Sequence, residues 1–261
     1  MNILCLGDVV SVYGLEAACK NLYKLRRELS ADAVIVNAEN ASMGNGNGLT
    51  GEDARRLLDA GADVLTGGNH SFRQKSLYSL LEDREELLRP ANCHGACPGK
   101  GYTILPVNGQ NLLVVNLIGR EHMDLPASCP FETLEKILKE QSGAYDAVIV
   151  DFHAEATGEK LALAHYFDGR VQVFFGTHTH VPTADEQVLP KGCGYITDIG
   201  MCGPSCSALG LKPEIIARKL ITGMPCRFEP AQTPPVLQGA LFTLSRDLTR
   251  CEKVERICVK V

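Results

Sequence analysis

Apolar runs alternate with helical segments along the first part of the chain, and this rhythm constrains the fold more than any other feature. NILCLG, AVIVNAEN and DVLTGGNH are predicted strands, and LEAACKNLYKLRREL and EDARRLLDAG between them have helical periodicity. Such a βαβαβ order is typical of α/β proteins with parallel strands. The nearly continuous Val and Ile of AVIV indicates a strand covered on both faces.

Antiparallel strands are expected from Tyr102 onward. TILPV and NLLVVNLIG flank Asn108-Gly109, a pair favoured where both central residues of a hairpin turn need positive φ. Further helices are predicted at PFETLEKILKE, ATGEKLALAHYF and about 213–221, and strands at AVIVDFH and VQVFFG, with short strands near 195–199 and in the C-terminal third. No repeat or linker divides the chain. We expect one α/β domain over residues 1–261, with two mixed sheets packed together and helices outside.

Helix and loop signals also mark the segment between the second and third strands. Thr50 followed by Asp53 predicts a helix N-cap. Gly44, Gly46 and Gly48 lack the strand context of a phosphate-binding loop, so they form either a rim over a substrate or a plain surface loop.

Charge and cysteine content exclude several classes of protein. The net charge is −5 with Lys and Arg scattered, so the chain has no basic stripe for stable binding of duplex nucleic acid. Asp8 interrupts the N-terminal apolar stretch and no basic segment precedes it, so we expect no membrane span and a cytoplasmic protein. The eleven cysteines include no CxxC, which favours reduced thiols. The spacings of Cys93 with Cys97 and of Cys202 with Cys206 are either incidental or a metal or redox pair.

Polar residues collect where the predicted strands end. These residues are Asp8, Glu39, Asn40, Asn69, His70, His153, His178 and His180. Carboxyl ends of neighbouring strands in α/β sheets converge on one crevice, so the side chains are expected to meet. On an extended segment His178 and His180 would share a side. Carboxylate, imidazole and amide donors together suit Mn, Fe, Zn or Ni.

The motifs in order resemble a known family. GD, NAEN, GNH, FHAEAT and GTHTHVPTAD, followed by LPKGCGYITDIGMCGP, are similar to the calcineurin-like metallophosphoesterases, and specifically to the bacterial branch of YmdB-like phosphodiesterases. The superfamily's usual Asp-x-His is absent, because Asp8-Val9-Val10 has no histidine. Glu39 stands where the superfamily usually has a bridging Asp, as in the YmdB-like branch.

This resemblance implies a four-layer α-β-β-α sandwich that holds two divalent transition-metal ions, Fe or Mn before Zn. Glu39 would bridge the ions. Asp8, Asn40 and His180 would complete one site, and Asn69, His153 and His178 the other. A water or hydroxide between the ions would be the nucleophile, and His70 would act on the leaving oxygen. Asp151 and Asp185 are alternative partners for His70, and the sequence does not choose between them.

The implied function is a dinuclear metal phosphodiesterase that acts on a small phosphodiester, with 2′,3′-cyclic nucleotides indicated by the branch. One alternative is a nucleotide phosphomonoesterase. Another is a regulatory protein that binds a nucleotide or a partner, with incidental hydrolysis. A small nucleotide is the expected partner in each case, and the sequence leaves homo-oligomerisation open.

Overall fold

Two mixed β-sheets packed face to face form the centre of the computed structural model, which describes residues 1–43 and 47–261. Gly44 and Gly46 of the glycine-rich loop lie outside the described residues. The strands are β1 (Asn2–Leu6), β2 (Asp8–Val9), β3 (Ala33–Asn37), β4 (Val64–Thr66), β5 (Tyr102–Val107), β6 (Gln110–Ile118), β7 (Ala147–His153), β8 (Val173–Thr177), β9 (Gln187–Val188), β10 (Gly194–Ile196), β11 (Met201–Pro204), β12 (Pro235–Leu244) and β13 (Cys251–Lys260). The helices are α1 (Ser11–Glu28), α2 (Gly51–Asp59), α3 (Tyr78–Asp83), α4 (Pro130–Glu140), α5 (Thr157–Phe167) and α6 (Pro213–Thr222).

The first sheet has the strand order β2-β11-β12-β1-β3-β4, with β13 also paired to β12. β1, β3 and β4 are parallel neighbours, which confirms the predicted βαβαβ start. β12 is antiparallel to β1, and β13 is antiparallel to β12. The sheet is therefore mixed.

The second sheet has the order β5-β6-β7-β8-β10-β9. β5 and β6 form the predicted antiparallel hairpin, and the turn residues Asn108 and Gly109 have φ of 52° and 80°. β6, β7, β8 and β10 run parallel. This sheet is also mixed, as expected.

Strand alternation separates the side chains into layers. In β1, Ile3 and Cys5 face the core between the sheets, while Leu4 and Leu6 face the helices outside. Helices α1 to α3 cover the outer face of the first sheet, and α4 and α5 cover that of the second. The predicted four-layer α-β-β-α sandwich is confirmed.

The C-terminal third differs from the expectation of short strands. β12 and β13 are ten residues each and form a long hairpin. Most residues of β13 are partly or fully exposed. Its charged residues interrupt the apolar pattern from which a strand is predicted. α3, β2 and β9 were not predicted, because elements of two to six residues are too short for a periodic signal.

All eleven cysteines are unpaired, and the expectation of reduced thiols stays a prediction. Among the described residues, no helix is long and apolar enough to cross a bilayer.

The N-cap of α2 gives a stability prediction. Thr50 Oγ1 accepts a hydrogen bond from the Asp53 main-chain N–H at 3.1 Å, so Thr50→Ala should lower the free energy of unfolding by about 1 kcal/mol. Thr50→Ser keeps the acceptor and is the control. Urea denaturation measures both variants, and an equal loss in Thr50→Ser would contradict a role for the cap.

Candidate metal centre

The carboxyl ends of five strands meet at one edge of the sandwich. β1, β3 and β4 of the first sheet and β7 and β8 of the second all end there. The same alternation that places Ile35 and Ile149 between the sheets brings Asn37 and Asp151 to this edge two residues later. The strand ends that carry or precede the predicted residues therefore meet at one crevice.

Asn69, His153 and His178 form one group of converging donor atoms. His153 Nε2 lies 3.0 Å from Asn69 Oδ1 and 3.0 Å from His178 Nδ1. Thr177 donates its hydroxyl proton to Asp151 Oδ1 at 2.7 Å, so its oxygen accepts from His153 Nδ1 at 3.0 Å. His153 therefore carries its proton on Nδ1 and its lone pair on Nε2, which faces Asn69 and His178. An imidazole nitrogen with a free lone pair is suited to bind a metal.

Asp8, Asn40 and His180 form the second group. His180 Nδ1 donates to the carbonyl oxygen of Leu209 at 3.2 Å, which leaves the lone pair on Nε2. That Nε2 lies 3.8 Å from Asp8 Oδ1 and 3.1 Å from Asn40 Nδ2. The oxygen of the Asn40 amide instead faces His70 Nδ1 at 2.9 Å. To bind an ion through its oxygen, Asn40 must rotate its amide by half a turn.

Glu39 lies between the two groups. Its Oε1 is 3.8 Å from His153 Nε2, and it also belongs to a cluster with Asp8 and His180 in which the possible ligand atoms all lie within 4.8 Å of one another. Its Oε2 accepts from the main-chain N–H of His70 at 2.8 Å. A carboxylate in this position can reach both groups.

The charges of the centre fit divalent cations. Among the described residues, Asp8 Oδ1 has no hydrogen-bond partner although it is buried. Burial together with the charges of Glu39 and Asp198 raises the pKa of Asp8 well above its usual value. Burial also raises the pKa of Glu39, but the hydrogen bonds and charge of His70 outweigh it and lower that pKa below its usual value.

Burial lowers the pKa values of His153, His178 and His180, which keeps their rings neutral. Neutral imidazoles beside buried carboxylates are the donors that transition metals bind.

His70 lies beside the centre, and its partners differ from both alternatives considered from the sequence. Its Nδ1 is 3.1 Å from Glu39 Oε1. Burial lowers the pKa of His70, but the hydrogen bond and charge of Glu39 outweigh it and raise that pKa. Asp151 and Asp185 are each held by threonine hydroxyls instead, so neither supports His70. Sequence alone could not find a partner on another strand end.

The expectation that His178 and His180 share a side of an extended segment is wrong. β8 ends at Thr177, and the two histidines have φ of 103° and 64°. The turn sends His178 to one group through Nδ1 and His180 to the other through Nε2. Such backbone conformations cost energy in residues other than glycine and concentrate at functional sites.

Four hydrogen bonds stabilise this strained turn. Asp8 Oδ2 accepts from the His178 N–H, and Asp198 Oδ2 accepts from the Thr179 N–H, both at 3.1 Å. Lys160 is fully buried, and its Nζ donates to Asp198 Oδ2 and to the Thr177 carbonyl oxygen, both at 2.9 Å. The buried ion pair was not predicted, since Lys160 lies within an ordinary helical run.

A layer of buried polar side chains beneath the centre was also missed. Its members share an inward-facing position on a strand, two residues after an apolar one, and are Asn37, Thr66, Asn116, Asp151 and Thr177. That break in the apolar alternation is the signal that could have identified them.

The rim carries acidic groups beside two of the predicted ligands. Asp124 Oδ1 accepts from Asn69 Nδ2 at 2.9 Å, and Asp124 Oδ2 accepts from Arg73 at 3.1 Å. Glu155 Oε2 lies 3.2 Å from His178 Nε2. Both carboxylates are about half exposed.

The chain is similar to known proteins over nearly its whole length. The family model described as YmdB-like protein matches residues 4–257. The 2′,3′-cyclic-nucleotide 2′-phosphodiesterase of Bacillus subtilis (strain 168) is 40% identical over 259 residues, which cover 99% of this chain and 97% of that protein.

Solved structures are similar over the whole chain. The crystal structure of a novel phosphatase from Mycoplasma pneumoniae has a TM-score of 0.92 and 34% identity, with 100% of this chain and 93% of that chain covered. A putative 5′-nucleotidase from Staphylococcus aureus has a TM-score of 0.60 at 16% identity and covers 100% of this chain and 55% of that chain, a likeness of fold alone.

Gly68 gives a test of the centre's geometry. A Cβ at Gly68 would lie 2.4 Å from the His153 ring, which is fully buried and has no room to move aside. Gly68→Ala should therefore displace His153 and lower metal uptake while the fold is kept. Gly95→Ala is the control, since a Cβ there meets nothing within 4 Å. Elemental analysis and circular dichroism report uptake and fold, and full uptake by Gly68→Ala would contradict the geometry.

Proposed function

We propose that this chain, which belongs to the YmdB-like family, is a dinuclear metal phosphodiesterase. Its proposed reaction is hydrolysis of the cyclic phosphodiester of 2′,3′-cyclic nucleotides. The named activities of its relatives make it a phosphoric ester hydrolase. One observation carries the finer proposal. Asn69 Oδ1 and His178 Nδ1 each lie 3.0 Å from His153 Nε2, and the buried Asp8 Oδ1 has no hydrogen-bond partner in the part of the chain that the structure describes.

The two groups of donors would each hold one ion. Asn69, His153 and His178 would hold one, Asp8, Asn40 and His180 the other, and Glu39 would serve both. Nitrogen and oxygen donors without a thiolate favour Fe or Mn, with Zn also accepted. When bound, two divalent cations would offset the charge of the phosphoryl oxygens and lower the pKa of a water molecule between them.

The chain's own residues would prepare the site for this chemistry. Burial keeps the three histidine rings neutral, so no proton has to leave before they bind an ion. Thr177 and Leu209 accept from the far nitrogens of His153 and His180 and so orient the rings. The main-chain N–H of His70 holds Glu39 in place between the groups.

His70 would move the proton. Its Nδ1 is engaged by Glu39 and Asn40, whereas its Nε2 lies 3.5 Å from Asn69 Nδ2. The side chain is 19% exposed, so Nε2 would be the nitrogen that meets a substrate. As the bond between phosphorus and the ribose oxygen breaks, a proton from Nε2 would pass to that oxygen. General acid catalysis of this kind matches the position of His70 at the mouth of the centre.

A nucleotide phosphomonoesterase is the second candidate, because the similar protein from Mycoplasma pneumoniae is described as a phosphatase. The test is a panel of 2′,3′-cyclic nucleotides, linear dinucleotides and monoesters, assayed on protein loaded with Mn²⁺ or Fe²⁺. Fastest turnover of the cyclic compounds supports the proposal, and fastest turnover of monoesters favours the second candidate. Binding of a cyclic nucleotide without turnover would favour a regulatory protein.

Several wider expectations accompany this proposal. We infer a small nucleotide as the partner and a cytoplasmic location, where eleven free thiols would stay reduced. Three further statements stay predictions: residues 1–261 form one domain, the protein does not bind duplex nucleic acid stably, and a homo-oligomer is possible.

Glu39→Gln should abolish the paired site. The variant keeps the side chain's shape but removes the negative charge shared by both groups, so we expect metal content to fall from about two ions per chain and turnover to be lost with the fold kept. Glu52→Gln, on the exposed surface of α2, is the control. Elemental analysis and circular dichroism measure the outcome. A folded Glu39→Gln variant with normal metal content would show that Glu39 is not the shared ligand.

His70→Ala should keep the metal and lose turnover. The main-chain N–H that holds Glu39 remains, while the proton donor is gone, so hydrolysis of a 2′,3′-cyclic nucleotide should slow by about 10²–10⁴-fold. Bis(p-nitrophenyl) phosphate should be affected much less, because its leaving group departs without a proton. His165→Ala, on the exposed face of α5, is the control. Equal slowing of both substrates together with loss of metal would make His70 a ligand.

A further inference from the structure

The amide of Asn69 has one end that can bind a metal and one that cannot. Its oxygen Oδ1 faces His153 Nε2 at 3.0 Å, and its Nδ2 donates to Asp124 Oδ1 at 2.9 Å. An amide nitrogen carries donor protons and no available lone pair, so only the oxygen can be a ligand. The contact with Asp124 therefore coincides with the ligating orientation.

The opposite orientation would close the site. Thr177 keeps the proton of His153 on Nδ1, so Nε2 is an acceptor. If the Asn69 amide turned by half a turn, its Nδ2 would donate a hydrogen bond to that Nε2. This contact would occupy the lone pair that an ion needs, and the two orientations have nearly the same shape.

Asn40 shows this closed orientation in the same molecule. Its Nδ2 lies 3.1 Å from His180 Nε2 and also contacts Glu39 Oε1, while its oxygen faces His70. Within residues 1–43 and 47–261, no carboxylate other than Glu39 contacts the Asn40 nitrogen, and that nitrogen stays beside the histidine. Asn69 differs because the carboxylate of Asp124 accepts from its nitrogen.

Asp124 is itself held by a neighbour. Arg73 Nη2 donates to Asp124 Oδ2 at 3.1 Å, and both side chains are 54% exposed. The pair lies at the rim, outside the core between the sheets. A replacement at Asp124 therefore removes a hydrogen bond from Asn69 without opening a cavity in the protein.

We propose that Asp124 is a positioning residue that holds the ligating orientation of the Asn69 amide and thereby sets the affinity of the Asn69, His153 and His178 group for its ion. The inference rests on the proposed two-metal site. It assigns a role to a residue outside the donor set, on a different loop from Asn69.

Three variants test this role. Asp124→Leu removes the acceptor, and Asp124→Asn removes the charge but keeps an oxygen that can accept from Asn69 Nδ2. Glu121→Leu is the matched control, because Glu121 is an exposed acid of the same loop, and no contact among the described residues joins its side chain to a proposed ligand. Thermal melting of each variant in a chelator confirms that the fold is unchanged.

The measurement is titration of chelator-treated protein with Mn²⁺, followed by electron paramagnetic resonance. Wild-type protein should bind two ions and give the spectrum of a coupled pair. Asp124→Leu should bind one ion with unchanged affinity and the second about 10–100-fold more weakly, with the spectrum of an isolated ion at low Mn²⁺. Asp124→Asn and Glu121→Leu should both resemble wild type.

Several outcomes would overturn the inference. These are wild-type affinities in Asp124→Leu, equal weakening of both ions, failure of Asp124→Asn to restore the second ion, or the same loss in Glu121→Leu. Wild-type protein that binds no second ion would instead overturn the proposed two-metal function, so the two failures are distinguishable.

Discussion

The buried carboxylate of Asp151 is the constraint on which the centre depends. It is fully buried and accepts hydrogen bonds from Asn37 and Thr66 of the first sheet and from Thr177 of the second. A buried carboxylate without such partners is costly, so the two sheets must bring these side chains together. Because Thr177 gives its proton to Asp151, it can only accept from His153. Asp151 therefore determines, through Thr177, that His153 carries its lone pair on Nε2, although Asp151 is not itself a proposed ligand.

The positions that converge could be predicted because they follow from strand geometry. Parallel strands end at a common edge, so Asp8, Glu39 and His153 meet although they are far apart in sequence. The layers could also be predicted from strand geometry. Successive side chains of a strand point to opposite faces, so a continuous apolar run requires that both faces be covered. Strand geometry does not predict the placement of His178 and His180, which reach different groups because both adopt positive φ after the strand ends.

Contacts made by loops could not be predicted from one sequence. Asp124 lies 55 residues from Asn69, and no periodic pattern relates them. The contact of the His70 side chain with Glu39 likewise joins the ends of two different strands, so one sequence does not predict it. These contacts depend on how loops from separate strands approach one another, which strand periodicity does not specify.

The strand ends that form the centre have a consequence for chain topology. Asp8 and His180 lie near the two ends of the proposed donor series, and every other member falls between them, on both sheets. Anything bound by the whole set would close several long loops at once and act as a cross-link between the halves of the sandwich. Because the donors lie far apart in the unfolded chain, ions held by the whole set would bind only the folded state. Metal binding would then raise the free energy of unfolding, and removal of the metal would lower it.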